Sequence, residues 1–388
     1  MSRPVIAGVV AAVVGYASSF AVVLAGLRAA GAGETQAASG LLALCVAMGL
    51  LSIVLSTMTR MPITIAWSTP GAALLASAGV PAGGYPAAVG AFAAAGLLIV
   101  VAGFWRPLAR AIAAIPTALA SAMLAGVLLS LCLAPVHAAV ERPGLTAPVI
   151  ATWALLTRFA RPWAVPGALA AAAVAVAVGE SPDLGGVSLA PQLALTVPHL
   201  TAGALVGTAL PLFIVTMTSQ NVTGMGVLAS FGYRPSLRRV LATTGAATMA
   251  AAPFGGHAVN LGAITAALTA GPDAGPDPQR RWIASVANGA SFVVLGIAAG
   301  AATTLLGVVP PLLIEAVAGL ALLGALAGAI ASAVADPRHR EAATVTLVVS
   351  ASGMTALGIS APFWGLCAGL ALLALARVRA RRPVPATS

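Results

Sequence analysis

Three stretches of this chain put polar groups where only hydrocarbon is expected. Thr218-Ser219-Gln220-Asn221 interrupts a long apolar run, and Gly224 and Gly226 follow at once. Residues 62–75 read PITIAWSTPGAALL, and residues 253–265 read PFGGHAVNLGAIT. Lipid offers hydroxyls, carboxamides and an imidazole no partner, so such groups either bond between helices or line a ligand site. Ser219, Gln220 and Asn221 point in different directions around a helix, so at least one is expected to face a cavity. Asn221-Val222-Thr223 also fits a glycosylation acceptor, but that acceptor would be buried in the bilayer.

The other candidates are single residues, each with a bland alternative. His257 stands beside Gly255 and Gly256 at a chain break; it either contacts substrate or a proton, or is a satisfied structural histidine. Asn260 follows one helical turn later, to line the site or cap a carbonyl. Glu315 is the one acid well inside an apolar segment. It is either a proton carrier or a charge suited to the helix start after Pro310-Pro311. Tyr16 and Phe20, one turn apart, form an aromatic wall or simply pack. His137, His199 and His339 fall at segment ends or in a charged loop and read as incidental. Gly296/Gly300 and Gly324/Gly328 read as close-packing glycines.

The elements that must position these residues are membrane helices. The 388 residues are 60% hydrophobic and 7% charged, far from the roughly 25% charge of soluble domains. The net charge of +10 comes from arginines scattered singly between apolar runs, a topology signal and not a nucleic-acid patch. No cleavage site follows Met-Ser-Arg, so a removable signal peptide is not expected. Cys45, Cys132 and Cys367 lack metal-ligand spacing, and neither metal nor cofactor is implied.

Apolar runs give about fourteen spans: 4–28, 35–58, 62–79, 84–105, 108–135, 143–159, 162–179, 200–230, 235–252, 254–270, 282–306, 309–335, 342–358 and 360–378. With the N-terminus inside, 17 arginines fall on the inner side and Arg28 and Arg142 on the outer. Both termini are therefore expected in the cytoplasm. Fourteen spans divide into seven and seven, and an odd unit repeated in tandem is inverted. IPTALASAMLAGVLL (115–129) and VPPLLIEAVAGLALL (309–323) align at an offset of 193 residues, half the chain. Inverted repeats with interrupted helices at matching positions mark secondary transporters. The third and tenth spans would then be half-helices whose N-termini, Ser68 and Thr69 before Pro70 and Gly256 and His257 in the other half, attract an anion.

PLFIVTMTSQNVTGMGVL (211–228), PFGGHAVNLGAITAAL (253–268) and ITIAWSTPGAALL (63–75) resemble the benzoate/proton symporter family of bacterial inner membranes. That family is similar in fold to nucleobase/ascorbate and SulP-type anion transporters. The resemblance implies an all-α fold with a core from spans 1–4 and 8–11 and a gate from spans 5–7 and 12–14. The corresponding boundaries are 1–135 (spans 1–4 and span 5), 136–195, 196–306 and 307–388. It also implies a site between spans 3 and 10 flanked by spans 1 and 8. Where nucleobase relatives carry acids, this chain has neutral Gln220 and Gly256 or His257, which argues for an anionic substrate.

The reading is a proton-coupled importer of benzoate or a related aromatic carboxylate in the bacterial inner membrane, not an enzyme. Substrate contacts are expected from Tyr16, Phe20, Ser68, Thr69, Ser219, Gln220, Asn221, Gly256, His257 and Asn260, and proton coupling from His257 or Glu315. The partners are substrate, protons and lipid, with a homodimer left open. A SulP-like anion exchanger or channel, or a nucleobase-type proton symporter, is the alternative.

Overall fold

The computed structural model describes residues 2–105, 107–108, 110, 114–179, 191–300, 309–356 and 359–380. Helices follow one another along the chain: α1 (Ser2–Ala29), α2 (Glu34–Thr59), α3 (Thr69–Ala78), α4 (Gly84–Phe104), α5 (Thr117–Glu141), α6 (Pro143–Phe159), α7 (Ala164–Gly179). The second series is α8 (Ala202–Ser230), α9 (Leu237–Ala251), α10 (Ala263–Ala270), α11 (Trp282–Ile297), α12 (Pro311–Val334), α13 (Arg340–Ala351) and α14 (Ala361–Ala380). Among the described residues, seven helices are long and apolar enough to cross a membrane by length and composition, α8 with 29 residues being the longest.

Two features depart from an all-helical expectation. Strands β1 (Ile65–Trp67) and β2 (Val259–Leu261) precede α3 and α10 and pair with each other. A smaller hairpin, β3 (Thr355–Ala356) with β4 (Ile359–Ser360), precedes α14. The fifth apolar run also starts later than its composition suggests. Pro116, extended at φ −58° and ψ 133°, sets the start of α5 at Thr117, so 108–135 was displaced toward the N-terminus.

The packing repeats itself when each helix is exchanged for the one seven places on. α2 crosses α11 as α9 crosses α4, α13 packs on α14 as α6 packs on α7, and α13 packs on α5 as α6 packs on α12. At two of these crossings backbone meets backbone. A Cβ on Gly49 would lie 2.6 Å from the Gly289 carbonyl oxygen, and one on Gly245 would lie 2.6 Å from that of Gly96. Glycine is the residue that admits such an approach, and close helix contact is the main packing force in lipid. Gly296 similarly faces the Cys45 side chain, with 2.6 Å available to a Cβ. Gly324 and Gly328 do not close-pack: nothing lies within 4 Å of a Cβ placed on either. They lie on an open face of α12.

The turn from α12 into α13 is tied locally. The Arg338 amide, and then the His339 ring, hold the Asp336 carboxyl below the usual carboxylate range.

The glycine crossings make a stability prediction. Gly96→Leu is expected to lower the thermal unfolding midpoint in detergent by several degrees, in line with an overpacking cost of about 1–3 kcal/mol. Gly328→Leu is the matched control, with a midpoint expected to stay at the wild-type value.

Candidate functional site

The two strands meet where the chain leaves helical geometry. Ile65 faces Leu261, Ala66 faces Asn260 and Trp67 faces Val259 in antiparallel register. Hydroxyls on neighbouring helices satisfy the outward backbone groups. Ser52 Oγ of α2 accepts the Ile65 N–H at 2.9 Å, and Thr248 Oγ1 of α9 accepts the Val259 N–H at 2.9 Å. Each hydroxyl lies one turn after a crossing glycine, in Gly49-x-x-Ser52 and Gly245-x-x-Thr248. One turn of α2 and its counterpart in α9 therefore sets both the helix crossing and the strand.

Each strand runs into a short helix, and the two N-termini differ. At α3, the Ser68 side chain caps by accepting the Gly71 N–H at 3.1 Å, and the Thr216 hydroxyl of α8 donates to the same oxygen at 3.0 Å. The Ser68 N–H donates to the Ala258 carbonyl at 3.1 Å, and Pro70 has no N–H to offer. Only the Thr69 N–H is left open in the first turn. At α10 the N-cap is Gly262, which has no side chain to cap with. Its first N–H, on Ala263, donates to Gln220 Oε1 at a long 3.4 Å. The N–H groups of Ile264 and Thr265 complete the first turn, where a helix leaves its donors unpaired.

α8 supplies the polar wall. It contains π-type turns at Leu205–Ala209 and Met217–Val222, and the second of these carries Ser219, Gln220 and Asn221. Such turns concentrate at functional sites because they displace side chains from the helical repeat. Asn221 is buried, and its Oδ1 accepts the Leu261 N–H at 3.0 Å. Ser219 is half-buried and returns its hydroxyl to the Val215 carbonyl of its own helix. Gln220 is half-buried beside the first turn of α10. Gly224 gives room for β2, since a Cβ there would lie 2.8 Å from Leu261 Cγ. Gly226 has no such neighbour within 4 Å.

An aromatic group closes the other side. Tyr16 and Phe20 of α1 stack with ring centroids 5.1 Å apart, Trp67 of β1 lies 5.8 Å from Tyr16, and Phe292 of α11 meets Trp67 edge-on at 5.7 Å. The Trp67 indole N–H donates to Ser19 at 3.0 Å. This wall adjoins α10, because a Cβ on Gly15 would lie 3.8 Å from the Thr265 methyl.

His257, Gly256 and Asn260 occupy different places from those their spacing suggested. The expectation of a helix starting near His257 fails because β1 holds residues 259–261 extended, and α10 begins only at Ala263. Asn260 is thus not one helical turn after His257. It is buried opposite Ala66, with its Nδ2 on the Leu261 carbonyl at 3.0 Å. His257 is fully buried, with Nε2 2.9 Å from the Ser68 carbonyl oxygen and Phe92 against its ring. It buttresses the α3 N-cap from behind. Gly256 packs on the end of α9, a Cβ there lying 2.6 Å from that of Ala251. Glu315 lies away from this cluster, in a cleft beside α1, α3 and α5. Ser52, Trp67, Thr216 and Thr248 were not anticipated. The repeated Gly-x-x-Ser/Thr in α2 and α9 was the signal available for two of them.

Interlocked halves meeting at paired strands, with helix N-termini beside them, define a polytopic membrane transporter. The fold agrees: the transmembrane domain of the cyanobacterial bicarbonate transporter BicA superposes with a TM-score of 0.62 at 15% identity, over 95% of this chain and 98% of that one. SLC26A9 superposes with a TM-score of 0.63 at 14% identity, over 97% of this chain and 66% of that one. The chain belongs to the benzoate membrane transport protein family, whose model matches residues 2–375. It is 35% identical over 365 residues to inner membrane protein YdcO of Escherichia coli K12, covering 94% of this chain and 93% of that one. It is 30% identical over 371 residues to the benzoate membrane transport protein of Acinetobacter baylyi, with the same shares covered.

The contrast between two neighbours on α8 is testable. Asn221→Ala strands the buried Leu261 N–H and is expected to cost about 1–3 kcal/mol, read as a lowered unfolding midpoint. Gln220→Ala removes only a long, half-buried bond, and its midpoint is expected to stay within about 0.5 kcal/mol of wild type.

Proposed function

We propose that this protein imports benzoate or a closely related aromatic carboxylate together with protons across the bacterial inner membrane. The observation that carries this reading is the α10 N-terminus: no side chain of its own caps it, and it lies between a neutral carboxamide and an aromatic wall. A carboxylate there takes the N–H groups of Ile264 and Thr265, while the Gln220 carboxamide offers its NH2 and Thr69 its N–H from the facing helix. Helix N-termini favour anions through these donors and the dipole. The ring rests against Tyr16, Phe20 and Trp67. An acid at position 220 would repel the substrate, and the neutral amide does not. Family membership and the name of the Acinetobacter relative support the same substrate class.

Transport proceeds by alternating access in fourteen crossings arranged as two inverted seven-span halves, with α3 and α10 as half-helices. The exchange symmetry of the packing and the antiparallel pairing of β1 with β2 support the inversion, since equivalent strands related by inversion run in opposite directions. The core comprises α1–α4 and α8–α11, and the gate α5–α7 and α12–α14. Both termini are cytoplasmic by the arginine distribution. Of the two proton-carrier candidates, the sealed environment of His257 favours Glu315.

Labelled benzoate is expected to accumulate in proteoliposomes under an inward proton gradient and to be lost when the gradient is collapsed. Gln220→Glu is expected to weaken benzoate binding at least tenfold, about 1.4 kcal/mol. Uptake that ignores the proton gradient would overturn symport. Uptake of chloride or bicarbonate without competition from benzoate would replace the carboxylate reading with an inorganic-anion one.

A further inference from the structure

A cleft of about 350 Å3 is lined by α1 and α3 on one side and by α5 and α12 on the other. Ala25 and Ala29 of α1 and Ala76 of α3 form one wall; His137 and Glu141 of α5 and Glu315 of α12 supply its titratable groups. His137 and Glu141 are one turn apart on the same face of α5. The lining continues down α5 to Ser130, about 16 Å from Glu141 at the helical rise, which reaches the middle of that 25-residue helix. Ala25 lies little more than one turn beyond Phe20 of the aromatic wall. The cleft thus leads from one end of the molecule toward the depth of the site, between the two bodies that the transport cycle separates.

Arg28, at the same end of α1, is paired with Glu34 at 2.7 Å. Arg142, next to Glu141, has an interaction of its own. α3 and α7 bring no charged side chain within Thr69–Ala78 and Ala164–Gly179; Arg158 of α6 and Arg340 and Glu341 of α13 belong to the opposite end. His137, Glu141 and Glu315 themselves have no hydrogen-bond or ion-pair partner among the described residues.

We propose that His137, Glu141 and Glu315 form a proton-binding site that admits the anionic substrate to the cleft between core and gate. The proposal rests on the carboxylate-transport reading above and assigns the coupling to particular side chains. Two unpaired, exposed carboxylates lining the cleft oppose an anion, so an anion pathway containing them needs a means of neutralising them. Proton uptake converts a carboxylate to the neutral acid or the imidazole to its cation, and either change removes the barrier. Substrate and proton then enter together with no chemistry on the substrate. Release to the opposite side returns the cluster to its charged state and restores the barrier. His257 cannot serve this purpose, because its ring is enclosed and bound to the Ser68 carbonyl.

The test is the KM for labelled benzoate uptake by the full chain in proteoliposomes between about pH 6 and pH 8, above the carboxylic acid range. In the wild type KM is expected to rise about tenfold as pH rises. In the Glu141→Gln/Glu315→Gln double variant it is expected to stay low and change less than twofold. His137→Gln is expected to lose the rise and hold KM near the wild type's high-pH value, since both carboxylates remain and the imidazole that could take up the proton is gone. Thermal stabilisation by benzoate at pH 6 checks that each variant is folded and binds; if the double variant is not folded, Glu315→Gln alone must lose at least half of the logarithmic rise. A folded double variant with the wild-type pH dependence would overturn this proposal while leaving benzoate transport intact. A wild type that neither binds nor transports benzoate at any pH would overturn the carboxylate reading, and this proposal with it.

Discussion

Backbone that leaves the helix inside a bilayer must find partners within the protein, because hydrocarbon offers none. The pairing of Ile65–Trp67 with Val259–Leu261 answers that demand, and the rest of the molecule is arranged around it. Neither strand can be satisfied within its own half. The inner edges bond to each other, while the outer groups need Ser52, Thr248 and Asn221 from three further helices. Ser68 shows how tightly this is drawn. Its N–H, carbonyl and hydroxyl are all engaged, by Ala258, His257, Gly71 and Thr216. A site at this place is therefore rigid by construction, since the bonds that position it are also those that make unwound backbone tolerable.

The same arithmetic explains the glycines. Ser52 reaches Ile65 only if α2 lies close against the strands, and its crossing with α11 at Gly49 and Gly289 sets that distance. Thr248 repeats the geometry from α9, through Gly245 and Gly96. Lipid tails and leucine side chains are equally apolar, so helix association here gains from close contact more than from expulsion of water. The crossing glycines are consequently part of the site's support, although none of them touches the proposed substrate position.

Much of this was legible in the sequence, and the limits have physical causes. Helix positions followed from apolar runs, because a membrane helix is apolar on all sides and its ends are punctuated by Arg, Pro and Gly. The breaks at 62–75 and 253–265 were legible for the same reason. The strand pairing was not: three residues such as Val259-Asn260-Leu261 carry no periodicity that separates strand from helix. That gap misplaced the start of α10 and set His257 and Asn260 one helical turn apart. The buried polar residues could be found by type, but their direction depended on partners on other elements, 40 residues or more away in the chain. Asn221 and Gln220 are neighbours in sequence, yet one holds a buried amide and the other faces the open turn of α10. The offset between halves was visible in residues 115–129 and 309–323. The more telling repeat was Gly-x-x-Ser/Thr, whose meaning emerges only once the glycine is seen to cross a helix and the hydroxyl to hold a strand.

The two halves are not equivalent at their centre, and the difference bears on selectivity. Ser68 closes the first turn of α3 with its own side chain, and Pro70 removes another donor, so that end offers one N–H. Gly262 cannot do the same for α10, and among the described residues the side chain that bonds its first turn is Gln220 of α8. A symmetric pair of open helix ends would suit a small symmetric anion placed midway between them. An end with several donors opposite one with a single donor suits a ligand with a charged head and an uncharged body. The aromatic cluster of Tyr16, Phe20 and Trp67 lies beside the first turn of α10, through the approach of Gly15 to Thr265. Charge at one end and ring surface alongside it match an aromatic carboxylate better than a compact inorganic ion. The asymmetry imposed on a repeated fold by Ser68 and Gly262 is thus the feature that supports the proposed substrate class.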